Sequence, residues 1–185
     1  LSLNPTYISI NNLDLEHLDI YKNLDELQST FSKFSNLVPF YGTTCIGVDS
    51  NNLKPIISNI NHNVRTFGIK NSADVMASNI KFDKNTSEFD VITKEKNNFS
   101  ITLSVPGLHN VYNALSAIAI CLEIDIKIKD IIKGLNKYSG VKRRFEIKYN
   151  NLNNKGIMII DDYAHHPSEV SATIDAIKKG WKNKK

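Results

Sequence analysis

Phe99-Ser100-Ile101-Thr102-Leu103-Ser104-Val105-Pro106-Gly107-Leu108-His109-Asn110-Val111-Tyr112-Asn113 decides how the rest of the chain is read. Its first seven positions alternate apolar and hydroxyl side chains, the period of two expected of a strand with one buried face. Pro106-Gly107 breaks that pattern. From Asn110 to Leu122 the chain is rich in Ala, Leu and Ile, which predicts a mostly buried helix. A strand feeding a helix through a polar joint is an α/β signature.

Working back toward the N-terminus, Tyr7–Ile10, Thr44–Val48, Arg65–Ile69, Val75–Phe82 and Phe89–Thr93 read as strands, with a short helix over 52–60. Ile20, Leu24, Leu27, Phe31, Phe34 and Val38 recur at steps of three and four, the apolar face of a helix. Asn23 is its expected N-cap, Glu26 could complete a capping box, and Pro39 is the expected stop. Toward the C-terminus, a second helix is expected over 127–138, and Ser139-Gly140 punctuates the chain. A new pattern follows: strand Phe145–Tyr149, a polar turn, apolar strand Gly156–Ile160, and helix Pro167–Lys179 with Pro167 at its first position. The fold class expected is α/β, with a mostly parallel sheet, added antiparallel strands near 65–105, and a domain boundary near 139–145.

The 185 residues are 41% hydrophobic and 23% charged, the balance of an ordinary globular protein with a sizeable core. The net charge of +4 comes from scattered lysines, many at the C-terminal end, without the basic stripe and interleaved aromatics of a nucleic-acid binder. No apolar run is long enough for a membrane span. The start, Leu1-Ser2-Leu3-Asn4-Pro5, has neither a signal peptide nor an initiator Met, a hint that it is not a natural beginning. Cys45 and Cys121 lie in apolar runs outside any metal pattern, so buried thiols in a reducing cytoplasm are expected.

Four clusters carry possible chemistry. Asp14, Glu16, His17 and Asp19 could hold a divalent cation that bridges phosphates, or could serve as partners of the following helix dipole. Asn110 and Asn113 sit three apart on the first helical turn, where two amides could read a base edge; plain capping by Asn110 is the other reading. Arg143 and Arg144 at the domain joint suit a phosphate through the guanidinium fork, or a surface ion pair. Asp161-Asp162-Tyr163-Ala164-His165-His166-Pro167 follows an apolar strand and opens a helix. Ligands gather at the carboxyl ends of strands in open α/β sheets, and so many polar groups there are hard to explain as packing. No G-x-x-x-x-G-K-[ST] phosphate loop and no G-x-S-x-G elbow occurs in these residues.

Taken together these segments resemble the Mur ligases almost from end to end. Asn12 to Asp19 looks like the N-[IL]-[DE]-x-[DE]-H-[LM]-D box, Val38 to Gly42 like L-P-F-Y-G, and Pro106 to Asn113 like P-G-x-H-N-x-x-N. Gly140 to Phe145 is similar to G-x-x-R-R-F. Asp161 to Glu169 resembles D-D-Y-[AG]-H-H-P-[ST]-E, the most specific of the five, which points to the branch that joins L-alanine to UDP-N-acetylmuramic acid. A tripeptide-recycling branch comes near but usually carries Phe where Tyr163 stands. Leu108 departs from the usual Arg.

The resemblance implies the second half of a central ATPase-type domain (1–140) and the start of a Rossmann-like C-terminal domain (141–185). It implies ATP and magnesium as cofactors in cytoplasmic peptidoglycan precursor synthesis. ATP would phosphorylate the lactyl carboxylate, and the amine of L-alanine would attack the acyl phosphate. By position, His17 would ligate magnesium; His109, Asn110 and Asn113 would hold adenine; Arg144, helped by Arg143, would contact phosphate; Asp162 would hold ribose; Tyr163 and His165 would face L-alanine. Neither nucleic acid nor membrane is expected as a partner. The UDP-sugar domain, the phosphate loop and the rest of the C-terminal domain would come from missing parts of the same ligase, so the chain alone is expected to be inactive. A non-catalytic remnant that at most binds adenine nucleotide is the alternative from another class.

Overall fold

The computed structural model describes residues 3–15, 20–153 and 156–181. Strands β1 (Tyr7–Ile10), β2 (Thr43–Gly47), β3 (Asn63–Gly68), β4 (Val75–Asp83), β5 (Thr86–Thr93) and β6 (Asn98–Leu103) form one sheet in that order. β1, β2, β3 and β4 pair in parallel; β4, β5 and β6 are antiparallel. The antiparallel part therefore begins at Val75 rather than near residue 65. Strand direction is not encoded in residue type, and β3 looks like its neighbours in sequence.

The sheet is covered on both faces where it is parallel. Helix α1 (Leu24–Ser35) and the short α2 (Lys54–Ile57) lie on one face, burying Ile8, Ile10, Ile46, Leu27, Leu53 and Ile56 together. Helices α3 (Leu108–Glu123) and α4 (Ile128–Lys137) cover the other, around Phe67, Val91, Ile101, Leu115 and Ile118. Cys45 and Ile46 are neighbours in β2 yet belong to different cores, because successive side chains point to opposite faces. Phe99, Ile101 and Leu103 are buried and Ser100 and Thr102 exposed, as the alternation predicts. Cys45 is fully buried, which pushes its thiol up to about 12; Cys121 is only half-buried.

Two helix ends differ from expectation. Asn23 caps α1 by accepting from the Glu26 N–H, but Glu26 reaches back to the Lys22 N–H instead of closing a box on Asn23. The helix ends at Ser35, ahead of Pro39, where the Asn36 side chain takes up the Ser32 and Asn59 carbonyls. α3 starts at Leu108 behind Gly107, whose φ of +100° suits glycine. Asn110 is thus inside the helix and does not cap it; its Nδ2 donates to the Pro106 carbonyl at 2.7 Å.

After α4 the chain crosses residues 139–145 into an antiparallel pair, β7 (Glu146–Asn151) and β8 (Ile157–Asp161), and helix α5 (Pro167–Gly180). α5 packs back on the main sheet side. Ala176 is buried next to Gly107, and the Gly180 carbonyl accepts from the Lys84 N–H in the β4–β5 turn. Phe145 and Trp181 stack with ring centroids 6.0 Å apart, tying the start of β7 to the end of α5. Among the described residues no helix is long and apolar enough to cross a membrane.

Candidate functional site

The carboxyl end of β1, the start of α3, the 139–145 joint and the β8–α5 loop surround a cleft of about 680 Å³. That size suits a nucleotide-class ligand. It forms there because β1 and β6, at opposite sides of the sheet, run in the same direction and finish at the same end of it, where α5 folds back. Asn12 and Asp14 line it from the segment that follows β1, and His109, Asn110 and Asn113 from α3. Arg144 and Asp162 line it from the opposite wall. A smaller recess of about 340 Å³, lined by Asp49 and Tyr112, shares His109 and Asn113 with it.

His109 is set behind Gly107, where a Cβ would meet the imidazole at 2.7–2.9 Å. Its Nδ1 is buried without a hydrogen-bond partner. Burial lowers its pKa, with Arg144 adding to that and Asp162 opposing it, so the ring is neutral near pH 7. A buried polar atom left unpaired costs stability.

Asp162 organises the joint. It accepts from the Phe145 N–H at 3.0 Å, the Ala164 N–H at 2.8 Å and the Thr173 hydroxyl at 3.1 Å. A carboxylate has about four acceptor positions, which leaves about one for a ligand hydroxyl. Arg144 pairs with Glu169 at 3.4 Å. Burial opposes ionisation of Glu169, but the N–H groups of His165 and His166 together with Arg144 outweigh it and hold the pKa below its ordinary value. Ser168 donates to Asp14 at 3.2 Å across the cleft and also pairs with His166.

Arg143, Tyr163 and His165 do not line the cleft. They form a neighbouring cluster at its rim. The Arg143 guanidinium lies 4.5 Å from the centroid of the Tyr163 ring, and the His165 ring meets the same ring edge-on at 5.3 Å. Tyr163 and His165 are both exposed, open to a second ligand. His17 lies outside the described residues, as do Glu16 and Asp19. Among the described residues no group of three or more His, Cys, Asp or Glu could hold a metal ion.

Sequence reasoning missed Asn11 and Asp49. The Asp49 carboxylate collects the N–H groups of Ile69, Lys70 and Asn71, the Asn71 amide and the Tyr112 hydroxyl, all at 2.7–3.0 Å. Burial raises its pKa, but these donors outweigh it and bring it to about 2. Its place just beyond β2, at the ligand-bearing end of the sheet, was the available signal.

Residues 1–121 match the family model described as the Mur ligase middle domain, and residues 143–185 the one described as Mur ligase, glutamate ligase domain. The chain is 48% identical over 183 residues to the UDP-N-acetylmuramate–L-alanine ligase of Chlorobium phaeobacteroides, covering 99% of this chain and 39% of that protein. Among solved structures, the UDP-N-acetylmuramate–alanine ligase MurC of Thermotoga maritima superimposes with a TM-score of 0.81 at 27% identity, over 97% of this chain and 40% of that one. A murein peptide ligase from Psychrobacter arcticus gives 0.70 at 28%, over 98% and 36%. The chain thus spans about 39% of the length of the curated relative above. With one family model reaching across the main sheet and another starting at the joint, the chain belongs to the Mur ligase family.

Proposed function

We propose that this chain is part of an ATP-dependent ligase that joins L-alanine to UDP-N-acetylmuramic acid in peptidoglycan precursor synthesis in the cytoplasm. The observation that carries the reading is the cleft in which His109, Asn110, Asn113, Arg144 and Asp162 converge from two parts of the chain. The names of relatives 39–48% identical to it support the choice of L-alanine.

In this reading residues 1–140 belong to the central ATP-binding domain and 141–185 begin the C-terminal domain. His109, Asn110 and Asn113 hold adenine, Asp162 uses its remaining acceptor for ribose, and Arg144 exchanges Glu169 for nucleotide phosphate. The residues fit such a ligand: an imidazole, two side-chain amides, a guanidinium and a carboxylate line one cleft. Arg143 steadies the Tyr163 ring, and Tyr163 and His165 face the amino-acid substrate. ATP supplies the phosphoryl group that activates the carboxylate, and magnesium, with His17 as a ligand, would neutralise phosphate charge.

The test is phosphate release by the natural polypeptide that contains these residues, with ATP, UDP-N-acetylmuramic acid and L-alanine. Release that requires free L-alanine is expected. Release driven by a tripeptide instead would assign the chain to the recycling branch, and none with either would leave a remnant. The 185 residues alone, which contain no G-x-x-x-x-G-K-[ST] loop, are expected to release no phosphate.

A further inference from the structure

Two amides of α3 face the cleft with opposite polarity, and the protein itself sets each orientation. Asn110 Nδ2 donates to the Pro106 carbonyl, which can only accept, so Asn110 turns its Oδ1 away from that contact as an acceptor. Asn113 is set by a longer chain. Ser9 and Ser116 hydroxyls pair at 2.6 Å, Ser9 Oγ donates to Asn11 Oδ1 at 3.3 Å, and Asn11 Nδ2 donates to Asn113 Oδ1 at 2.8 Å. With Ser116 donating to Ser9, every proton in the chain has an acceptor. Asn113 is left with Nδ2 as a donor, and among the described residues it has no partner.

We propose that Asn11 is a positioning residue that sets purine specificity, by holding the Asn113 amide so that the site accepts a 6-aminopurine and rejects a 6-oxopurine. The proposal rests on the reading of the cleft as an adenine-nucleotide site. Adenine presents a 6-amino donor beside a ring-nitrogen acceptor. Asn110 Oδ1 takes the amino group and Asn113 Nδ2 donates to the ring nitrogen. Hypoxanthine and guanine carry an oxygen at position 6, which would face Asn110 Oδ1 with no proton between them, and a site that pairs polar groups rejects the analogue that leaves them unpaired. Asn11 reaches no ligand atom in this scheme. It acts through Asn113, and Ser9 acts through Asn11.

The experiment measures kcat/KM for ATP and for ITP in the natural polypeptide and in Asn11→Asp. The aspartate keeps the shape but can only accept, so Asn113 must reverse and present Oδ1 to the base. The ATP-over-ITP ratio is expected to fall roughly tenfold, mostly through KM for ATP. An Asn11→Asp protein that uses ATP with the ratio of the unmutated protein overturns the proposal while leaving the adenine reading intact. An unmutated protein that uses ATP and ITP equally, or neither, overturns both. If thermal melting shows that Asn11→Asp does not fold, Ser9→Ala carries the test: loss of its hydroxyl frees the Asn11 amide to turn, and the ratio must fall several-fold or the proposal fails.

Discussion

The backbone N–H of Lys84 donates to the carbonyl of Gly180 at 3.0 Å, joining the β4–β5 turn to the last residue of α5. A Cβ on Gly180 would run into the Lys84 carbonyl, and backbone has little room to give. Gly180→Ala is therefore expected to lift the end of α5 from the turn and lower stability by about 1–3 kcal/mol, the usual cost of overpacking. Since α5 supplies one wall of the cleft, ADP affinity should drop with it. Hydrogen exchange at the Lys84 amide reads the contact directly. Unchanged protection there in Gly180→Ala would show that the docking does not depend on the missing side chain.

Asp49 makes a different kind of tie, from the end of β2 to the β3–β4 loop and to Tyr112 on α3. Asp49→Asn replaces one acceptor oxygen with a donor facing N–H groups, and should cost about 2 kcal/mol in urea denaturation. Tyr112→Phe removes one charge-assisted bond and should cost about 1–2 kcal/mol. The pH dependence has a definite sign. Asp49 sits at about 2 against an ordinary 3.8, so its stabilisation is present above pH 3.8 and is lost as pH falls toward 2. Asp49→Asn should show a shallower loss over that window; a slope identical to the unmutated protein would contradict the assignment.

The β6–α3 joint is legible in the sequence because two periods meet there, two on the Phe99 side and helical after Gly107, with Pro106-Gly107 between them. Both patterns come from burial of one face, and both reappear in the structure. Asp49 and Asn11 are not legible in the same way. Asp49 is defined by N–H groups about twenty residues downstream, and Asn11 by an amide 102 residues away. Neither distance leaves a local pattern. Asp14, Asn110 and Asp162 were legible as candidates, but the division of labour between cleft and rim was not. It depends on the turn through Arg143 and Phe145, both at positive φ, where Arg144 lines the cleft and Arg143 lies nearer the Tyr163 ring, at 4.5 Å against 5.9 Å for Arg144.

His109 carries a buried ring nitrogen without a hydrogen-bond partner. His109→Leu keeps similar bulk and removes the unpaired Nδ1, so the ligand-free protein should be as stable as before, or more stable by about 1 kcal/mol. ADP binding should weaken at the same time. The unmutated protein should also lose stability as pH falls below 6.5, because the unfolded imidazole takes up a proton that burial keeps from the folded one, and His109→Leu should lose less. Thermal melts across pH 5–8 with and without ADP check both statements. A substitution that lowers stability without touching ADP affinity would make His109 a packing residue.

Arg144 should behave in the opposite way to His109. Its pair with Glu169 joins side chains that are 54% and 32% exposed, and such a pair contributes about 0–1 kcal/mol. Arg144→Ala should therefore melt within a degree or two of the unmutated protein. Binding is another matter, because a guanidinium that leaves a weak exposed partner for a phosphate gains a better fork at little cost. ADP affinity measured by calorimetry should fall about tenfold or more in Arg144→Ala. Arg144→Lys should recover only part of it, since an ammonium restores the charge without the paired geometry. Adenosine, which lacks phosphate, should bind the unmutated protein and both variants alike. If adenosine binding also drops, Arg144 acts by shaping the cleft wall with Glu169, and the phosphate contact would have to be sought elsewhere.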